Sequence, residues 1–114
     1  MKIKNSELQR VNMALFSLGS HQEDIKKRWD LTKIGKPIVD ASSLLETQVQ
    51  QLIDEKGTSK EGQQKSLPTN DEDYLKLMDL DIDIDIERIS LEHLEQYNPT
   101  YQELLSLTPI IKEG

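Results

Sequence analysis

Leu8, Val11, Leu15 and Leu18 recur at 3-4-3 spacing, so on a helix they share one face. Gly19 and Ser20 follow directly. A second and longer apolar series then runs through Ile34, Ile38, Ala41, Leu45, Val49 and Leu52 at 4-3-4-4-3 spacing and stops before Gly57. Ile25 and Trp29, four apart, lead into it. Two apolar stripes separated by a tight turn can both be buried only if the two helices fold back on each other. The spacing therefore predicts a helical hairpin, with Trp29 anchoring its core. Ser6 with Gln9 and Ser20 with Glu23 have the S-x-x-E/Q form of a capping box, and mark the two helix starts. Gly19 can take the left-handed conformation that closes a helix. Pro37 lies inside the second stripe, where it removes a donor and crowds the preceding turn. The stripe keeps its register across Pro37, so a kink or brief break is expected, with segments of about 22–34 and 37–56.

A different period governs the stretch "DLDIDIDIERIS", Asp79 to Ser90. Leu80, Ile82, Ile84 and Ile86 fall on one side of an extended chain, and Asp79, Asp81, Asp83, Asp85 and Glu87 on the other. The expectation is a strand with a buried aliphatic face and an exposed acidic one. "MKIK" is its natural antiparallel partner, with Ile3 joining the apolar face and Lys2 and Lys4 the acidic one. Between these regions, residues 57–70 are rich in Gly, Ser, Gln and Lys and read as a mobile loop. "DEDYLKLMD" reads as a short helix capped by Asn70, with Tyr74, Leu75 and Met78 inward. "SLEHLEQYN" is a second short helix. "TYQELLSL" is a third, opened by a Thr100–Glu103 capping box, closed by Pro109, and apolar at Tyr101, Leu104, Leu105 and Leu107. The fold class expected is α+β in one domain, residues 1–114: a hairpin with a long kinked helix, a small antiparallel β-ribbon and short C-terminal helices.

Charge is distributed unevenly. The net charge is −7, yet residues 71–114 alone carry 3 basic and 12 acidic side chains. Such a chain repels phosphate and argues against nucleic acid as a partner. The one basic stretch, Lys26, Lys27, Arg28, Lys33 and Lys36 around Trp29, is read as a solvated helix face. With no Cys and two His, thiolate and histidine-rich metal sites are outside its means. An EF-hand reading from Asp81 places Ile86 where the calcium loop needs Gly, and alternating Ile demands extension where that loop must curl. No P-loop, dinucleotide or nucleophile-elbow motif occurs. No enzyme activity, cofactor or metal is expected. Neither a signal peptide nor a membrane span is apparent, so a cytoplasmic location is expected.

"MKIKNSEL", the helix ending "QLIDEKG", the "DIDIDIERISLEHLE" block and the terminal "YQELLSLTPII" together resemble a family of small proteins of unknown function encoded by tailed phages and prophages of low-GC Gram-positive bacteria. The resemblance lies in pattern and order over most of the chain and carries no functional residues. It implies a non-enzymatic accessory or assembly protein of the host cytoplasm, with virion association open, that binds another protein, either a phage structural component or a host enzyme. The alternative is an acidic inhibitor mimicking nucleic acid. The partner-binding candidates are Asp79, Asp81, Asp83, Asp85 and Glu87. Self-association is expected through Leu45, Val49, Leu52 and Ile53, the part of the long stripe that a shorter first helix leaves uncovered.

Overall fold

The computed structural model describes residues 1–59, 62, 64–68 and 70–112. Strand β1 (Lys2–Lys4) leads into helix α1 (Asn5–Ser20), and helix α2 (Ile25–Lys56) returns along it. After a connection come helix α3 (Glu72–Met78), strand β2 (Asp81–Asp83) and strand β3 (Ile89–Ser90). Helices α4 (Leu91–Glu95) and α5 (Tyr101–Leu107), a 3₁₀ turn (Thr108–Ile110) and strand β4 (Ile111–Lys112) complete the order. The hairpin of α1 and α2 is the spine, and α5 packs along the other flank of α1. The principal extents are 48 × 30 × 23 Å, the longest matching about 1.5 Å of rise for each residue of α2.

The periodicity of α1 is realised directly: Leu8, Val11 and Leu18 are fully enclosed and Leu15 nearly so. From α2, Leu31, Ile38 and Leu45 meet them, while Val49 and Ala41 pack at the margin. Tyr97, Leu94, Leu107 and Ile110 close the core from the C-terminal side.

The helix starts differ from those read in the sequence. At α1 the Glu7 carboxylate accepts the Lys4 backbone N–H at 3.2 Å, two residues earlier than the Ser6–Gln9 pair would place it. The β1–β2 pairing draws Asn5 into the fold, with its amide donating to the Leu77 carbonyl, and the helix starts from there. At α2, Asp24 caps by accepting from the Lys26 N–H at 2.8 Å, where Ser20 was expected. Gly19 stays helical and α1 runs on to Ser20. Pro37 does not divide α2, which is one 32-residue helix. The loss of one intrahelical bond, about 3 kcal/mol in isolation, is outweighed by core anchors on both sides, Leu31 and Ile38. α2 ends at Gly57, where the backbone turns extended while its N–H bonds the Ile53 carbonyl at 2.8 Å; a Cβ at this position would run into that carbonyl.

The ribbon has the expected partner strands and faces, in the register Lys2 opposite Asp83, Ile3 opposite Ile82, Lys4 opposite Asp81, antiparallel. It is shorter than the alternating pattern suggested, since β2 has three residues. Ile84 is buried, Ile82 and Ile86 half-buried, and Leu80 exposed. Ile84 still donates to the Met1 carbonyl at 2.8 Å, the chain bends at Asp85, and the next pairing is with a different strand: β3 joins β4 in parallel, Ile89 opposite Ile111. In α3 the cap is Asp71, accepting from Tyr74 N–H at 3.0 Å, and Leu77 with Met78 meets the core while Leu75 faces out. The Thr100–Glu103 capping box forms as read. Of the apolar side expected for α5, only Leu107 is buried, while Tyr101 and Leu105 are exposed. In the 57–70 segment Thr58 and Ser66 exchange backbone bonds; Lys60, Glu61, Gln63 and Thr69, inside the expected mobile loop, lie outside the described residues.

Candidate functional site

A groove of about 690 Å³ runs between α1 and α2 on the side away from α5. Its walls are apolar, from Leu15, Phe16, Leu31 and Val39, and it is floored by Gly19 and Gly35. Polar groups stand around it: Asn12, Ser20, Thr32, Asp40 and the basic pair Arg28 and Lys36. The two glycines make the groove. A methyl group at Gly35 would touch Leu15 Cδ1 at 3.7 Å, and one at Gly19 would meet nothing within 4 Å. Phe16 on one lip is 82% exposed, so an aromatic ring is held in water beside an unfilled apolar cleft.

The exposed apolar surface extends beyond the groove. Ile25, Trp29, Thr32, Lys36 and Val39 are spaced 4-3-4-3 and lie on one side of α2, and the last three line the groove. Ile25 and Trp29 therefore continue its face, and both are exposed. Met13, also exposed, sits one turn before Phe16 on α1. Trp29 is thus a surface residue, contrary to the sequence expectation of a core anchor. The signal was present: Trp29 and Ile34 are five apart, which turns the two residues well away from each other on a helix. Met13 and Phe16 are likewise apolar residues off the Leu8–Leu18 stripe.

The stretch expected to self-associate lies elsewhere. Leu45 is buried in the hairpin core, Val49 packs on it, and Leu52 and Ile53 are half-buried. Below them α3 docks on α2, where Lys56 reaches Asp71 at 2.8 Å and Asp73 at 3.1 Å. The hydrogen bonds with Asp71 and Asp73 hold the Lys56 amine above its usual range, and the bond from Lys56 holds Asp71 below its own.

Asp79, Asp81, Asp83, Asp85 and Glu87 are all exposed, on one end of the molecule beside β1. Two of the five are engaged. Lys4 bonds Asp79 at 2.7 Å, which raises its own pKa, and the Met1 amino group bonds Asp83 at 3.0 Å. Among the described residues no group of three or more His, Asp or Glu is placed to hold a metal ion.

The opposite flank of α1 holds a buried carboxylate that sequence reading treated only as a cap. Glu103 accepts from Ser17 Oγ at 2.8 Å, from His21 Nε2 at 3.0 Å, and from the Thr100 N–H at 2.8 Å. Burial opposes its charge, but the bonds from Thr100, His21 and Ser17 outweigh burial and hold the carboxyl below its usual range. Ser17 and His21 both aim at this carboxylate, so the cluster fastens α5 to α1. Gln22 completes the fastening by donating to the Leu18 and Tyr97 carbonyls at 3.0 and 2.6 Å. Burial, and then the Asp30 charge, pushes the Tyr97 hydroxyl pKa up.

Comparison with protein-family models, curated proteins and solved structures returned no match. No helix among the described residues is long and apolar enough to cross a membrane.

Proposed function

We propose that this chain is a non-enzymatic accessory or assembly protein of a tailed phage that works by binding protein, and that the α1–α2 groove is its contact surface. The single observation carrying the reading is the exposure of Phe16, Trp29 and Ile25 around an unfilled apolar cleft. Isolated exposed apolar residues are ordinary, but a continuous set of large ones bordering a groove is characteristic of interaction surfaces. The phage setting rests on the resemblance of the sequence blocks described above.

The nucleic-acid-mimic reading has less support. It needs carboxylates at regular spacing along an extended edge, and β2 is regular for three residues only. Asp79 and Asp83 are also already paired.

Binding to purified virion or tail components, measured by biolayer interferometry with the wild type and with Phe16→Asp, tests the proposal. Binding by the wild type that Phe16→Asp abolishes is expected. Equal binding by both would reject the groove as the contact surface, and no binding by either would reject the virion partner.

A further inference from the structure

We infer that the occupant of the α1–α2 groove is a second copy of this chain, the two hairpins lying antiparallel about a two-fold axis. The inference rests on reading the groove as a binding surface, and adds what fills it in the free chain; a virion or tail component that takes the groove displaces the second copy.

Two observations carry it. The first is area. Phe16, Met13, Trp29, Ile25 and Val39 are 82%, 72%, 61%, 76% and 49% exposed. Together they offer roughly 700 Å² of largely apolar surface per copy, close to the ~800 Å² per partner of a standard stable interface. A two-fold pair is self-complementary, because the lip residue of each copy is presented to the cleft of the other. Here the groove supplies the cleft and Phe16 the lip.

The second is charge. Lys26, Lys27 and Arg28 lie where α2 begins, at the C-terminal end of α1, while Lys33 and Lys36 farther along α2 are paired with Asp30 and Asp40. The acidic row sits at the other end of α1, where Leu80 accepts the Asn5 N–H at 3.0 Å. The 16 residues of α1 separate the two clusters by about 24 Å. An antiparallel pair sets the basic end of one copy beside the acidic end of the next, twice. A parallel pair sets like against like, which electrostatics disfavours.

Sedimentation equilibrium of the full chain tests this, with Phe16→Asp, Trp29→Asp and Leu52→Asp beside the wild type. Phe16 and Trp29 are exposed, so circular dichroism and melting should show both variants folded. The expected result is a wild-type dimer at about 100 µM, with Phe16→Asp and Trp29→Asp each weakening it about 100-fold or more. Leu52→Asp is expected to leave dimerisation unchanged where it remains folded. Raising salt from about 50 to 500 mM should weaken the wild-type dimer, because the end-to-end charge attraction is screened.

A dimer that survives Phe16→Asp would overturn the inference, as would a wild-type monomer at that concentration. Binding of the apolar dye bis-ANS then separates the two readings. A monomer that binds the dye in a Phe16-dependent way loses the second copy but keeps the groove as a binding surface. A monomer that binds none loses both.

Discussion

The two flanks of α1 are built from different chemistry. Toward α5, Ala14 and Leu18 are buried, and Ser17 and His21 end on the enclosed carboxylate of Glu103. Toward α2, Leu15 and Leu31 line a groove together with two glycines, and Phe16 is left in water. One flank is closed by the chain itself and the other is open. A single helix thus shows that apolar content alone does not decide burial. What decides it is whether another element of the same chain reaches that side, and among the described residues none covers the open one.

The largest effect should come from the core that both flanks share. Leu18→Ala removes a fully enclosed side chain and should cost about 2–5 kcal/mol in denaturant unfolding. A cost below about 1 kcal/mol would mean that the closed flank is looser than its burial implies.

Glu103→Ala attacks the closed flank through its polar fastening. It strands Ser17, His21 and the Thr100 N–H, and should cost about 1–3 kcal/mol. The pH dependence has a definite sign. The folded pKa of Glu103 lies below its ordinary value of 4.5. Its stabilisation is therefore complete above that pH and is lost as pH falls through the lowered folded value. Melting temperature measured from pH 7 to pH 3 should fall less steeply for Glu103→Gln than for the wild type. Equal slopes would show that the carboxylate is not what closes this flank.

On the open flank the expected effects are smaller, and one has the opposite sign. Gly35→Ala places a methyl in ordinary contact with Leu15 and removes a helix-interior glycine, so it should stabilise by up to about 1 kcal/mol while making the groove shallower. Destabilisation would mean that α1 and α2 are packed more tightly there than the open floor indicates. Phe16→Asp should change the stability of the isolated chain least, within about 0.5 kcal/mol, because its ring is in water.

The closed parts of the fold were the more legible in sequence. The 3-4-3 leucines of α1 gave the hairpin, since a buried helix face must repeat with the helix. Ile3 facing Ile82 and the lysines facing aspartates were readable because a strand has only two faces. The short length of β2 was not readable, because the parallel pairing of Ile89 with Ile111 depends on where the chain's end returns. Glu103 was seen as a local cap. Its burial depends on Ser17 and His21, more than 80 residues away, which no local pattern encodes. The groove escaped for a subtler reason. Ile25 and Trp29 were assigned to the stripe that begins at Ile34, although the five-residue step between Trp29 and Ile34 turns them to another face. Self-association was therefore expected at Leu45 to Ile53, where Leu45 is in fact enclosed and the rest is half-buried.

Trp29 is the sole tryptophan and stands on the open flank, so its fluorescence reports most directly on whether that flank is covered. Emission maximum and iodide quenching should be followed as the chain is concentrated from about 0.1 to 100 µM. The account predicts a blue shift and falling quenching in the wild type as a second copy covers the indole, and neither in Phe16→Asp. Emission that stays red and fully quenchable across that range in the wild type would contradict it.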